Sequence, residues 1–305
     1  MTTHQRRTAT LAGLAILALG SAGCATLSED PPEPSNPPRK EIIYAVTASH
    51  QLIAFNAGQP QKILSKKALT GLAAGEEILG IDYRVAKGVL FALGRAGDGA
   101  RLVTLDTATG AVKPVGTAPL AVKLDGNEFG FDFNPTVDRI RVASDSGQNL
   151  RLHPDTGAVV DANPNEPGVQ TDGRLAFAAG DANAGVAARI VAAGYTYNKV
   201  NDKITTNYAI DAATGSLVMQ GSKEGTLPPV SPNTGQLFTV GKLNAGPFVR
   251  AALDIADTTG AAFAGLTREG GKATRFYLVN LDTGAATFLG TIGGGEPVRG
   301  LSFEP

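Results

Sequence analysis

The sequence predicts an all-β fold, a β-propeller of five four-stranded blades, and three observations carry that expectation. First, Gly80-Ile-Asp-Tyr83, Gly130-Phe-Asp-Phe133, Ala252-Leu-Asp-Ile255 and Gly300-Leu-Ser-Phe303 repeat one pattern, apolar residues flanking a polar one, which is the period-two signature of a strand. Second, similar runs follow in order. Residues 89–93, 139–143 and 261–264 come after a short turn, and residues 102–110, 150–157, 208–215 and 277–284 end in an Asp and a Gly. Asp accepts local backbone hydrogen bonds there and Gly supplies the positive φ of a tight hairpin. Third, a fourth run such as 112–116 or 287–291 closes the unit, and no stretch reads as an amphipathic helix. A four-strand unit recurring at roughly 40–50 residues describes propeller blades.

Taken in order, the first-strand anchors fall near 80, 130, 178, 252 and 300. The interval from 178 to 252 is long, and residues 233–240 read as an inserted hairpin; five blades fit best, six if that hairpin completes a blade of its own. Residues 300–305 supply a first strand with no second, whereas residues 42–46 match the second strand at 89–93. The C-terminal strand is therefore expected to pair with the N-terminal one and close the ring, leaving no open sheet edge between first and last blades.

Composition agrees with this architecture. The chain has 305 residues, 38 of them Gly, with 43% apolar and only 18% charged residues, which excludes disorder, coiled coil and collagen. Twenty-seven basic and 28 acidic residues leave a net charge of -1, so no nucleic-acid partner is expected. One Cys excludes a disulfide framework or a cysteine-based zinc site within the chain. A monomer is expected.

Residues 1–23 read as an export signal, with Arg6 and Arg7 ahead of a short apolar core that is too short for a permanent membrane helix. Ser21-Ala22-Gly23 before Cys24 resembles the lipobox of bacterial lipoproteins, with Ser21 where Leu is usual. The resemblance implies lipidation of Cys24, a membrane partner through that anchor, and a place in the bacterial cell envelope. Ala25 in place of Asp implies outer-membrane sorting; ordinary cleavage would instead give a periplasmic or secreted protein. Within the segment 24–40, the Pro-rich run 28–40 is expected to form an extended tether of roughly 40 Å at about 3.1 Å per residue, followed by the propeller domain at 41–305.

The segment Gly130-Phe-Asp-Phe-Asn-Pro135, continuing through Arg139-Ile-Arg-Val142, Gly147-Gln-Asn-Leu-Arg151 and Pro154-Asp-Thr-Gly157, resembles a family of exported bacterial proteins classed as a domain of unknown function. The likeness extends through Leu175-Ala-Phe-Ala178, Ser231-Pro-Asn-Thr-Gly235 and the C-terminal blade. It implies an exported all-β repeat fold and no established activity.

The recurring Asp82, Asp132 and Asp254 suit a repeated structural job, such as bonding backbone in the next loop, better than catalysis. Aligned second strands place Tyr44, Phe91, Arg141 and Phe263 at one position, so Arg141 replaces an aromatic in a buried layer. A turn at 135–138 sets Asn134 opposite Arg139, Phe133 opposite Ile140 and Asp132 opposite Arg141. A buried guanidinium needs a partner, and an Asp132–Arg141 ion pair is expected.

In a propeller the connections from second to third strand share a face with those between blades, and the longer polar segments lie there. Asp145, Gln148, Asn149, Asp161, Asn163 and Glu166 are the candidate ligand residues on that face. Asp161, Asn163, Asn165 and Glu166 lack EF-hand spacing, and His50 and His153 lack metal-ligand spacing, so neither a metal nor a cofactor is expected. No serine-nucleophile elbow, phosphate loop or dinucleotide fingerprint occurs in the mature chain. The leading expectation is a binding or scaffold module for a protein, glycan or small ligand. The alternative is a hydrolase or lyase on envelope or extracellular carbohydrate, with paired carboxylates in the central channel.

Overall fold

The computed structural model describes residues 1–2 and 32–305. The export signal and Cys24 lie outside the described residues. From Glu33 to the C-terminus the chain forms one unit, built of five antiparallel sheets.

Blade 1 pairs β1 (Ile42–Thr47), β2 (Gln51–Asn56) and β3 (Gln59–Ala68) with the C-terminal β20 (Val298–Phe303), in the order β20-β1-β2-β3. Tyr44 faces Ser302, so the expected ring closure is present. Blade 2 comprises β4 (Glu77–Arg84), β5 (Val89–Ala96), β6 (Gly99–Leu105) and β7 (Val112–Pro114). Blade 3 comprises β8 (Phe129–Asn134), β9 (Arg139–Ser144) and β10 (Asn149–Leu152), its fourth strand reduced to the bridge from Leu152 to Val159. Blade 4 is β12 (Ile190–Tyr195), β13 (Asn207–Asp211), β14 (Ser216–Gln220) and β15 (Gln236–Lys242), with the two-residue β11 (Ala176–Phe177) added in parallel at its outer edge. Blade 5 is β16 (Arg250–Ile255), β17 (Ala262–Thr267), β18 (Arg275–Val279) and β19 (Ala286–Thr291). The inner strands β20, β4, β8, β12 and β16 contact one another around the axis.

Blade 4 corrects two expectations. Its inner strand lies at 190–195, not near 178, and residues 236–242 are its outer strand, so the ring has five blades and not six. The sequence Ala193-Gly194-Tyr195 hid the anchor because Gly stands where the other blades carry Asp or Ser. As a consequence the turn after Asp211 joins second and third strands rather than third and fourth. Asp211 is buried and bonds Arg189 N and the Thr214 backbone and hydroxyl, unlike the exposed turn residue Asp106.

Apolar residues collect between blades. One cluster joins blades 4 and 5, another blades 5 and 1, and two more lie between blades 2 and 3 and between blades 1 and 2. The cluster between blades 3 and 4 is the smallest, and Ala143 is its single buried residue from a blade 3 strand. Residues 33–40, expected within the tether, dock on blades 5 and 1. The Glu33 carboxylate accepts from Thr291, Asn36 Nδ2 donates to Leu289 O at 3.0 Å, and Arg39 and Asn56 exchange bonds of 2.8 and 2.7 Å. That part of the segment covers strand edges instead of spacing the domain away from a surface.

Candidate functional site

An inner propeller strand pairs on one side only, so its channel edge carries N–H groups that need acceptors. Here the repeated polar residue of one blade serves the next. Tyr83 N donates to Ser302 Oγ (3.1 Å), Phe133 N to Asp82 Oδ2 (2.8 Å), Tyr195 N to Asp132 Oδ1 (2.9 Å) and Phe303 N to Asp254 Oδ2 (2.8 Å). The fifth position, Gly194, has no side chain, and Ile255 N turns to its own Asp254 Oδ1 at 2.6 Å. Two residues before the polar position, Gly80, Gly130 and Gly300 let the inner strands cross closely: a Cβ at Gly80 would lie 2.6 Å from Phe131 Cβ, and one at Gly300 would lie 2.7 Å from Ile81 N. The Gly-x-Asp pattern therefore records a close crossing followed by a staple to the neighbouring blade.

This stapling brings Asp82, Asp132 and Asp254 together, with an oxygen of each within 4.8 Å of the others. Burial raises all three carboxyls. Asp254 reaches about 6; Asp82 is raised further by Asp254, and Asp132 by Asp82 and Asp254. Both oxygens of Asp82 and of Asp254 are already occupied, Asp82 Oδ1 by the Ser302 hydroxyl at 2.8 Å. The set can hold protons, and the same three converging carboxyls meet the spacing of a cation site. It also differs from a glycosidase pair, which needs carboxyls separated by about 5–9.5 Å with room for substrate.

At the blade interfaces, the residue after the ring position meets the aligned second-strand residue of the preceding blade. Tyr44 packs on Tyr83, Phe91 on Phe133 and Phe263 on Phe303, with centroids 6.1, 5.2 and 5.4 Å apart. Arg141 occupies the same place against Tyr195, buried to 2% exposure, and donates from Nε to the Tyr195 hydroxyl at 3.3 Å. The expected register holds, with Asp132 opposite Arg141. The expected ion pair does not form. The short Asp132 side chain is committed to Tyr195 N, and the longer guanidinium runs outward to Asp172 (2.6 Å), Asn149 Oδ1 (2.8 Å) and Asn233 Oδ1 (2.6 Å). Arg151, directly opposite Arg141 on β10, holds the same Asp172 through two 2.8 Å bonds. Burial alone would lower the Arg141 pKa, but Tyr195 and Asp172 raise it overall. The arginine pair was the sequence signal for Asp172: two guanidiniums opposed on adjacent strands require an acid between them.

The six candidate ligand residues build loops. Asp145 accepts from Asn127 N, Gln148 bridges Asp125 N and Lys123 O, and Asp161 accepts from Asn163 N and Gln170 N. Asn163 Nδ2 donates to Glu166, and Asn149 is buried within the Arg141 network. A concavity lies on the opposite face, where first-to-second-strand connections of blades 2, 3 and 4 meet. This cavity of about 410 Å³ is lined by Val85, Phe133, Asn134, Pro135, Tyr197 and Ile204 among others. Arg84 in its wall is held by Asp138 and Asp155. Burial pushes the Tyr197 phenol up, and the negative charge of Asp82, Asp132 and Asp254 adds to the effect. The sequence reading missed this face because it reserved it for tight turns. Blade 4, out of phase with the other repeats, places the long segments 196–206 and 221–235 there.

Fold and site together define a five-bladed propeller with three converging carboxyls on its inner strands and a pocket on one face. The chain belongs to the family of the domain of unknown function DUF4394, whose model matches residues 51–302. A comparison with curated proteins finds no match. Among solved structures, the chain is similar to one in a nidogen/laminin complex (10% identity, 87% of this chain and 98% of that one, TM-score 0.41). It is also similar to a protein from Lactobacillus plantarum (14%, 83% and 67%, 0.40) and to TolB from Acinetobacter baumannii (12%, 87% and 66%, 0.39). These are likenesses of fold.

Proposed function

We propose that the protein is an exported, lipid-anchored binding module of the bacterial cell envelope, and that its ligand, a glycan or small polar molecule, sits in the pocket beside Tyr197. The observation that carries this reading is the 410 Å³ concavity formed by loops from three blades on a stapled ring. Apolar walls from Phe133, Pro135 and Ile204 beside Asn134 and Asn198 suit a ligand with both a hydrophobic face and hydroxyls. Binding is favoured over hydrolysis because the channel carboxyls are committed to backbone N–H groups. Export and anchoring are supported by the basic-apolar start of the chain and by Cys24 after small residues.

Binding of a soluble glycan library should be lost in Tyr197→Ala while its thermal midpoint stays near that of the parent chain. Undiminished binding in that variant would remove the pocket from consideration. Metabolic labelling with a fatty-acid probe should fail in Cys24→Ala; labelling that persists refutes lipidation there.

A further inference from the structure

A second cavity, of about 380 Å³, opens between blades 3 and 4 and has a different chemistry. Among the described residues its charged lining is Arg139, Arg141 and Arg151, with no carboxylate. Asp172, behind Arg141 and Arg151, is the acid that pairs with them, so three guanidiniums face one balancing charge. Arg139 donates from Nη1 to the backbone oxygens of Val137 and Asp138, and no carboxylate among the described residues holds it.

The hydrogen-bond ledger points the same way. The acceptors lining the cavity are in use: Asn134 Oδ1 takes Thr136 N and Oγ, Asn233 Oδ1 takes Arg141, and Ser231 Oγ takes Asn233 N. Donors remain. Among the described residues, Arg151 Nη1, Arg139 Nε and Nη2, the amide nitrogens of Asn134 and Asn233, and the Tyr195 hydroxyl proton have no acceptor. A cleft rich in donors and formally cationic is complementary to oxygen acceptors bearing negative charge, and planar guanidinium forks match carboxylate and phosphate.

We propose that this cleft is a binding site for a small organic anion of sugar-acid size, held through its carboxylate or phosphate. The volume lies at the small end of ligand pockets, which run from about 300 to 1,000 Å³. Arg141 and Asp172 form the rigid base, Arg151 and Arg139 carry the excess charge, and Asn134 and Asn233 read hydroxyls or the second anion oxygen. The site is separate from the pocket beside Tyr197, sharing Asn134 at the boundary.

The test is calorimetric titration of the full-length chain at low ionic strength with glucuronate, glucose 6-phosphate, inorganic phosphate and neutral glucose. One or more anions should bind, glucose should not, and affinity should fall as salt is added. Arg139→Gln, whose guanidinium touches only backbone, should weaken binding by roughly tenfold or more, as expected for a lost charge-assisted bond. Arg151→Gln, which leaves Arg141 paired with Asp172, should do the same. Tyr197→Ala and Lys87→Gln, both in the wall of the other pocket, should bind the anions like the parent chain, whatever they do to a ligand there. Preference for glucuronate assigns a carboxylate, and preference for the phosphates assigns a phosphoryl group. No binding by any anion, equal binding of glucose, or unchanged affinity in both Arg139→Gln and Arg151→Gln overturns the proposal.

Discussion

Four blade interfaces and the fifth solve the same packing problem with different chemistry. Between blades 2 and 3, Phe91 meets Phe133, and between blades 5 and 1, Phe263 meets Phe303, each within a large apolar cluster. Between blades 3 and 4 the apolar cluster is small, and Arg141, Asp172, Arg151, Asn149 and Asn233 fill the corresponding space. The aromatic interfaces need only surface complementarity and are non-directional. The polar one needs every partner in place, because a desolvated guanidinium without its acid costs more than the pair contributes. It therefore gives little net stability, and it leaves a cationic cleft that the aromatic interfaces do not.

Breaking the polar interface should have the largest effect. Asp172→Ala leaves Arg141 and Arg151 opposed without an acid and should cost about 3–5 kcal/mol in denaturant unfolding; a loss below about 1 kcal/mol would mean that solvent reaches the pair and that the interface is not dry. Next comes the ring of carboxyls that both kinds of interface share. Its folded carboxyls titrate above the ordinary Asp value of 3.8, Asp254 at about 6, so the folded state binds more protons than the unfolded chain. Their contribution is fully present below about pH 4 and is lost as pH rises through 6, on the order of 2–3 kcal/mol for Asp254 alone. Urea midpoints should therefore fall as pH rises from about 4 through 6, and Asp132→Asn/Asp254→Asn should flatten that slope. A double variant with the parent's pH dependence would show that the ring does not carry these protons.

Within an aromatic interface, Phe133→Leu keeps apolar volume and should cost about 1–1.5 kcal/mol, well short of Asp172→Ala. The reverse ranking would erase the distinction between the two kinds of interface. Smallest is Glu166→Ala on the exposed loop of blade 3, whose one side-chain bond among the described residues is to Asn163; it should change stability by less than about 0.5 kcal/mol, and a larger loss would make that loop part of the scaffold.

Repetition governed how much could be seen in advance. Comparing blades exposed Arg141 as the odd residue in an aromatic layer and set its register with Asp132, because both observations depend on positions that recur. Its true partners come from segments with no counterpart elsewhere: Asp172 from the connection into blade 4, and Asn233 from the long return before β15. The same limit hid the inner strand of blade 4. With Gly194 in place of Asp the motif lost its polar mark, and the two longest loops on the pocket face were displaced with it.

The sequence by itself determined the strand alternation, the number of blades that fit best and the closure of the ring, since these follow from local periodicity and from matching the two ends of the chain. It also marked a structural role for Asp82, Asp132 and Asp254, because a residue repeated at one place in several blades performs one repeated task. Only the tertiary structure decided what the task is. The backbone N–H groups that those carboxyls satisfy, the proximity that raises their pKa values, and the pairing of Arg141 with Asp172 all depend on distances between blades, and no local pattern encodes those distances.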